Sequence, residues 1–150
     1  MVAGKWQLLG TMRDKIFKGS RPADAGFLES FVWQVEPLQK GMRYWGPTFE
    51  ENGRLTRFCN DEFGPDLTND YTLDFIHRRK DRPFFILYSM LLPHDDLRLE
   101  MSKWVRTPDS MQAESTQERF HGMMAYADKL IGKIVSKIDD EGLTENTIIW

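Results

Sequence analysis

The sequence predicts an α/β fold in which a layered, mostly parallel β-sheet is flanked by helices. Two stretches of helical periodicity, at about residues 67–80 and 116–140, alternate with apolar runs at residues 84–92 and 147–150. Helix, strand, helix, strand in that order is typical of right-handed crossovers between parallel strands. The chain of 150 residues is long enough for one domain with a buried core.

The first helix is predicted from its periodic apolar positions and from the residues that bound it. Asp66 or Thr68 is expected to cap its start, and Pro83 follows its end. One face of the helix collects Leu67, Tyr71, Phe75 and Ile76.

The two apolar runs are predicted to be neighbouring parallel strands. Residues 84–92 are apolar on both faces, as expected of a central strand covered by helices. Residues 147–150 should pair beside them, because a long crossover helix joins the two runs. This second run stops in mid-strand, so we expect the sequence to be an internal piece of a longer protein.

The second helix, at about residues 116–140, has the strongest periodicity in the chain. Gly142 stands where a left-handed glycine commonly ends a helix, and Leu143 is expected to supply the accompanying apolar contact. The face predicted to pack on the sheet includes Met124, Leu130, Ile131, Ile134 and Ile138.

The remaining segments are less regular. Asn52 and Gly53 form a favoured hairpin dipeptide between two short candidate strands, residues 43–50 and 54–58. Residues 95–115 form a long polar stretch, and loops of that length in a compact domain are usually functional.

Composition excludes several classes of protein. The net charge of −3 comes from 20 basic and 23 acidic residues that are well mixed, so no nucleic-acid partner is expected. No apolar run approaches bilayer length, so no membrane partner is expected. Cys59 is the single cysteine, which excludes an intrachain disulfide and a thiolate zinc cluster. Cysteine usage therefore indicates no compartment, and the oligomeric state is not indicated either.

Two strand ends carry polar groups suited to binding an anion. Lys5 follows the first apolar run and His94 follows the run at residues 84–92. Ligands of open α/β sheets bind beyond the carboxyl ends of strands, so these two side chains are expected to converge on one oxyanion. Each also has a plain structural explanation: a solvated lysine, and a loop histidine bonded to backbone. The adjacent Asp95 and Asp96 suit a metal pair or an ordinary turn.

Several segments, in order over nearly the whole chain, resemble the sulfatase (arylsulfatase) family of the alkaline-phosphatase-like superfamily. The segments that carry the resemblance are Gly4-Lys5-Trp6-Gln7-Leu8, Arg43-Tyr44-Trp45-Gly46-Pro47, Phe84-Phe85-Ile86-Leu87-Tyr88 leading to Pro93-His94-Asp95, Tyr126-Ala127-Asp128-Lys129, and Gly142-Leu143-Thr144-Glu145-Asn146-Thr147. The set as a whole is specific, although no single motif decides it. It implies that residues 1–150 form a single partial catalytic domain with an alkaline-phosphatase-like fold.

The resemblance also implies a mechanism. Family members convert a Cys or Ser into formylglycine, whose hydrate attacks the sulfate beside a bound calcium. A lysine at the position of Lys5 contacts the sulfate and the nucleophile. A histidine at the position of His94 hydrogen-bonds the sulfate and protonates the leaving oxygen. Both roles stabilise charge that develops during sulfuryl transfer.

The chain departs from the family pattern at the nucleophile and the metal. The residues after Cys59 do not fit the nucleophile motif, and near Ser20 an aspartate, Asp24, stands where arginine is required. The family's calcium ligands are not found in the sequence. Gln7 replaces a histidine next to the family's nucleophile, and an amide donates a hydrogen bond but takes no proton. Because Gln7 stands at the position of that histidine, we count it among the candidate catalytic residues.

The resemblance favours a sulfuric ester hydrolase that acts on aryl or carbohydrate sulfates, with this piece inactive by itself. It also favours an exported or periplasmic location for the full-length protein. Two alternatives stay open: a phosphate or phosphonate ester hydrolase of the same superfamily, and a non-catalytic α/β binding module.

Overall fold

The computed structural model describes residues 1–9, 19–33, 35, 42–94 and 105–150. The chain divides into two compact units. The first comprises Met1–Thr72 and Pro83–Leu91, and the second comprises Leu73–Arg82 and Leu92–Trp150. That residues 1–150 form a single partial catalytic domain stays a prediction.

Five strands among the described residues form one sheet in the first unit. They are β1 (Val2–Lys5), β2 (Ser30–Trp33), β3 (Thr48–Glu51), β4 (Arg54–Arg57) and β5 (Leu87–Ser89), in the spatial order β4-β3-β2-β1-β5. β1 pairs in parallel with β2 and β5, whereas β2 with β3 and β3 with β4 are antiparallel. The α/β class is confirmed, and the sheet is mixed because the β3–β4 hairpin extends it on one side.

The predicted hairpin at Asn52 and Gly53 is confirmed. Both residues have positive φ angles, 49° and 88°, as a tight turn between twisted strands requires. The Asn52 side chain adds a second connection, because its Oδ1 accepts a hydrogen bond of 2.8 Å from the backbone N–H of Ser30. The turn is thus tied to the start of β2.

The prediction of a long central strand at residues 84–92 is wrong in extent and position. Only Leu87–Ser89 pairs with β1, and β5 is an outer strand of the described sheet. The flanking apolar residues serve packing rather than strand pairing. Phe85 stacks on Phe27 with ring centroids 6.2 Å apart, and Leu91 is buried.

Apolar side chains pack on each face of the sheet. One face carries the buried cluster of Val2, Trp6, Val32 and Val35. On the other face Phe31 stacks against Phe49 and against Tyr71, with centroids 4.7 and 4.9 Å apart. This double covering explains why β1 and β2 are buried over most of their length.

Helix α1 spans Gly64–Arg79, starting three residues before the predicted boundary. The predicted caps are therefore wrong, because Asp66 and Thr68 lie inside the helix. The Thr68 hydroxyl donates to the Gly64 carbonyl, 3.2 Å away, and to the Pro65 carbonyl, 3.0 Å away. Asp66 lies in the first turn, where its negative charge still suits the helix dipole.

Helix α2 spans Thr116–Asp140, as predicted. Ser115 caps it, since its hydroxyl accepts from the Glu118 N–H while the Glu118 carboxylate accepts from the Ser115 N–H. The predicted glycine cap is confirmed: Gly142 has a φ of 70°, and the Leu143 N–H donates to the Ile138 carbonyl.

The buried face of α2 differs from the predicted one by a rotation of the helix. The fully or nearly buried positions are Met123, Tyr126, Ala127, Leu130 and Ile138. Met124 and Ile131 are each 46% exposed, so the prediction that they pack in the core is wrong. The periodicity of the sequence predicts a wide apolar stripe along α2, and only some residues of that stripe are buried in the structure.

Residues 147–150 do not form the predicted strand. A 3-10 turn at Thr144–Asn146 precedes them, and Ile148 and Trp150 are 82% and 92% exposed. Their β-branched and aromatic side chains favour a strand, but strand formation also requires a pairing neighbour, and the described residues provide none here. Neither described helix is long and apolar enough to cross a bilayer.

Candidate active site

Lys5 lies at the carboxyl end of β1, with a paired strand on either side. In the parallel register Lys5 pairs with Trp33 at the end of β2, and Gly4 pairs with Ser89 at the end of β5. The strand before Lys5 is fully buried, whereas Lys5 itself is only partly covered. The sheet therefore holds the lysine backbone rigidly and leaves its ammonium group accessible at the edge where ligands of such sheets bind.

Gly4 permits an unusually close approach between β1 and β5. Its φ of 98° lies in a region that other residues rarely adopt. A Cβ atom at this position would lie 1.9 Å from the carbonyl oxygen of Ser89. Only glycine fits here without a backbone shift, so the position of Lys5 depends on the residue before it.

The environment of Lys5 disfavours its positive charge. Partial burial, and secondly the nearby guanidinium of Arg43, lower the pKa of Lys5 below its ordinary value of 10.5. A lysine that is partly desolvated and faces another cation is well suited to bind an anion, which offsets both effects. Its three N–H donors can then bond directly to anion oxygens.

Arg43 is a further candidate site residue, and nothing in the sequence alone marks it as one. It is only 7% exposed, and its Cζ atom lies 4.9 Å from the ring centroid of Trp33 and 5.3 Å from that of Tyr44. In the sequence it is an arginine directly before two aromatic residues, Tyr44 and Trp45. Only the fold brings that arginine close to Lys5.

Gln7 and His94 differ from Lys5 in exposure or in the unit to which they belong. Gln7 is exposed, two residues beyond the end of β1. His94 is half-buried and follows Pro93 in the second unit, whereas Lys5 belongs to the first unit. Their convergence on one oxyanion therefore stays a prediction. Asp95 and Asp96 lie outside the described residues.

Cys59 does not suit the role of a nucleophile. Its exposed side chain lies beside Glu62, whose carboxylate accepts a 2.6 Å hydrogen bond from the Cys59 backbone N–H. A side-chain hydrogen bond to Glu62 and the negative charge of that group raise the pKa of the Cys59 thiol. The thiol is thus held in its protonated, weakly nucleophilic form at neutral pH.

A metal site is not formed by the residues that the structure describes. No group of three or more His, Cys, Asp or Glu side chains in these ranges is arranged to hold an ion. Calcium prefers six to eight oxygen ligands, several of them carboxylates. The described residues do not fit that requirement.

Comparison with known proteins supports one family. The family model described as Sulfatase matches residues 2–150. A solved structure, that of Ps i-CgsB in complex with k-i-k-neocarrahexaose, superposes with a TM-score of 0.67 at 18% sequence identity. The superposition covers 97% of this chain and 35% of the other, so this chain spans about a third of that protein. No curated protein matches the chain.

The identity of 18% supports only the fold, whereas the family model covers almost every residue. The part of the chain that the family model matches includes the strand that carries Lys5 and the segment that ends at His94. The chain belongs to the sulfatase family.

Proposed function

We propose that the full-length protein hydrolyses sulfate esters and that this chain supplies Lys5 as a sulfate-binding group. The observation that carries the proposal is the position of Lys5 at the carboxyl end of β1, between two paired strands, with its charge disfavoured by its surroundings. Such a lysine gains most when an anion with several oxygen acceptors binds next to it.

Each site residue has a definite part in the proposed reaction. Lys5 donates hydrogen bonds to sulfate oxygens and stabilises the charge that grows on them during sulfuryl transfer. His94 donates a proton to the leaving alcohol oxygen. Gln7 orients the sulfate by donating an amide hydrogen bond, but it cannot accept a proton.

The proposed substrate is a sulfated carbohydrate rather than an aryl sulfate. The fold-level relative is Ps i-CgsB, and its structure holds k-i-k-neocarrahexaose, an oligosaccharide. An aryl sulfate with the same anionic head is the competing substrate in the test.

The isolated chain of 150 residues is proposed to be inactive. It spans about a third of the matched structure, Cys59 is held protonated, and the described residues do not fit a calcium site. No step is therefore assigned here to calcium or to formylglycine.

The test compares the full-length protein with its Lys5→Gln variant. We expect the wild type to release sulfate from sulfated galactan oligosaccharides faster than from 4-nitrophenyl sulfate. Lys5→Gln should lower turnover roughly 10²–10³-fold, as for the loss of one charge-stabilising donor. Faster hydrolysis of 4-nitrophenyl phosphate than of either sulfate ester would instead support a phosphate ester hydrolase.

A second assay uses the isolated chain with and without added calcium. We expect no release of 4-nitrophenol from its sulfate ester. Steady release that disappears in Lys5→Gln or His94→Gln would show that the isolated chain is catalytic and would contradict this part of the proposal.

A further inference from the structure

Arg43 and Lys5 place two positive charges at the same end of the sheet. Lys5 pairs in register with Trp33, and the Arg43 guanidinium lies over the ring of that same Trp33 at 4.9 Å. Lys5 can lose its proton, but arginine keeps its charge at any pH that proteins tolerate. The second charge is therefore permanent.

The backbone around Arg43 is firmly anchored. The Tyr44 carbonyl accepts a 2.7 Å hydrogen bond from the Gly64 N–H at the start of α1. The Tyr44 hydroxyl donates to the Leu91 carbonyl over 3.1 Å. A Cβ atom on Gly64 would lie 1.9 Å from the Arg43 carbonyl oxygen, so the segment is packed closely against the helix start. The guanidinium is thus held in place rather than extended into solvent.

Arg43 raises the free energy of the charged form of Lys5, and a bound anion lowers it. Arg43 lies close enough that its charge contributes to lowering the pKa of Lys5. Stacking on Trp33 and Tyr44 favours the arginine itself, but it does nothing to relieve the lysine. A bound anion relieves both groups at once.

We propose that Arg43 is the second cation of the anion site and contacts the same sulfate group that Lys5 binds. This inference rests on the proposed function and extends it by a residue. The guanidinium has a planar fork of donors that matches two oxygens of a sulfate, whereas the lysine acts as a point charge. Together they select a multiply charged oxyanion in preference to a single-charge anion such as chloride.

The experiment is a titration of the 150-residue chain with sodium sulfate, against sodium chloride at matched ionic strength. Binding is followed by ¹H–¹⁵N NMR at the backbone amides of Gly4 and Lys5 and at the Nε–H group of Arg43. We expect saturable shifts at all three groups with sulfate and none with chloride. Arg43→Gln should weaken sulfate binding about tenfold or more, whereas Arg57→Gln, on the exposed strand β4, should have no effect.

The outcomes separate the two proposals. If Lys5→Gln weakens sulfate binding while Arg43→Gln does not, Arg43 is only a structural residue and the proposed function stands. If the wild type shows no saturable shift, this inference fails, whereas the proposed function is decided by the turnover of the full-length protein. If Arg43→Gln does not fold, the wild-type titration still decides: an Arg43 Nε–H signal that stays fixed while the Gly4 and Lys5 amides shift overturns this inference.

Discussion

Lys80 and Glu141 form an ion pair in which the lysine Nζ lies 2.7 Å from the glutamate Oε2. The other carboxylate oxygen of Glu141, Oε1, lies 2.5 Å from the Lys137 Nζ and 2.7 Å from the His77 Nδ1. The Glu141 side chain is only 9% exposed. One carboxylate therefore joins residues at the end of α1 to the end of α2 within the second unit.

Glu141→Gln should destabilise the chain and flatten its pH dependence. Hydrogen bonds from Lys137, Lys80 and His77 lower the pKa of Glu141 far below its ordinary value of 4.5. A depressed carboxyl pKa stabilises the fold above pH 4.5, and this stabilisation is lost as the pH falls below that value. The thermal midpoint of the wild type should therefore decrease more steeply on acidification than that of Glu141→Gln.

At alkaline pH, the stability of the wild type should also fall more steeply than that of Glu141→Gln. The hydrogen bond to Glu141 raises the pKa of Lys80 above 10.5, so its stabilisation is present below that pH and is lost above it. Asp74→Asn provides the control, because Asp74 pairs only on the surface with Arg78 and should change stability by at most about 0.5 kcal/mol. Parallel pH curves for the wild type and Glu141→Gln would contradict both predictions.

Leu130→Ala and Ile131→Ala should have very different effects, although the two residues are adjacent. Leu130 is fully buried and Ile131 is 46% exposed. We expect Leu130→Ala to cost roughly 2–5 kcal/mol of unfolding free energy, and Ile131→Ala about 1 kcal/mol or less. Urea denaturation measures both. Equal losses would mean that α2 is rotated relative to the described packing.

Gly4→Ala should be more damaging than Gly53→Ala. Both glycines have positive φ angles, 98° and 88°. A Cβ atom at Gly53 has open space around it, whereas one at Gly4 meets the Ser89 carbonyl oxygen. Gly53→Ala should therefore cost roughly 1–2 kcal/mol from backbone strain alone. Gly4→Ala should add a further ~1–3 kcal/mol and displace Lys5, which thermal denaturation and the sulfate titration detect separately. Similar midpoints for the two variants would show that β1 and β5 separate easily.

Asn52→Ala should cost roughly 1–3 kcal/mol, because it removes both a residue that tolerates positive φ and the hydrogen bond acceptor for the Ser30 N–H. Asn52→Asp keeps a side-chain oxygen at the same place and should cost less than half as much. Chemical denaturation of the two variants is the measurement. A larger loss in Asn52→Asp would show that the amide nitrogen, rather than the oxygen, is the important group.

Local patterns predicted the helices and the hairpin, because the information for each lies within a few neighbouring residues. The Gly142 cap after α2 and the Asn52–Gly53 dipeptide are examples. Strand β2 escaped prediction because Ser30–Trp33 is too short to show a period. Its identity as a strand comes from pairing with β1, which is distant in the sequence. The prediction of a long strand at residues 84–92 was wrong for a related reason. Apolar residues that pack without pairing cannot be distinguished in a sequence from those of a buried strand.

For the candidate site, the sequence indicated where Lys5 lies on its strand but not which residues surround it. Lys5 was identifiable because it directly follows a short apolar strand, and the structure places it at the strand end. The closeness of Arg43 to Lys5 is a property of the tertiary fold, since the two residues lie on different segments. The requirement for glycine at position 4 likewise depends on the fold, because it arises from the position of the Ser89 carbonyl on β5.

The outer strand β4 has a consequence for solubility. Among the residues that the structure describes, β4 pairs only with β3, and its residues Arg54, Leu55 and Arg57 are exposed. An open strand edge is a template on which another copy can add its own strand and begin to aggregate. Two copies that met along β4 would bring arginines of one against arginines of the other. This repulsion protects that side of the sheet, and neutralising Arg54 and Arg57 together would convert it into an edge prone to self-assembly.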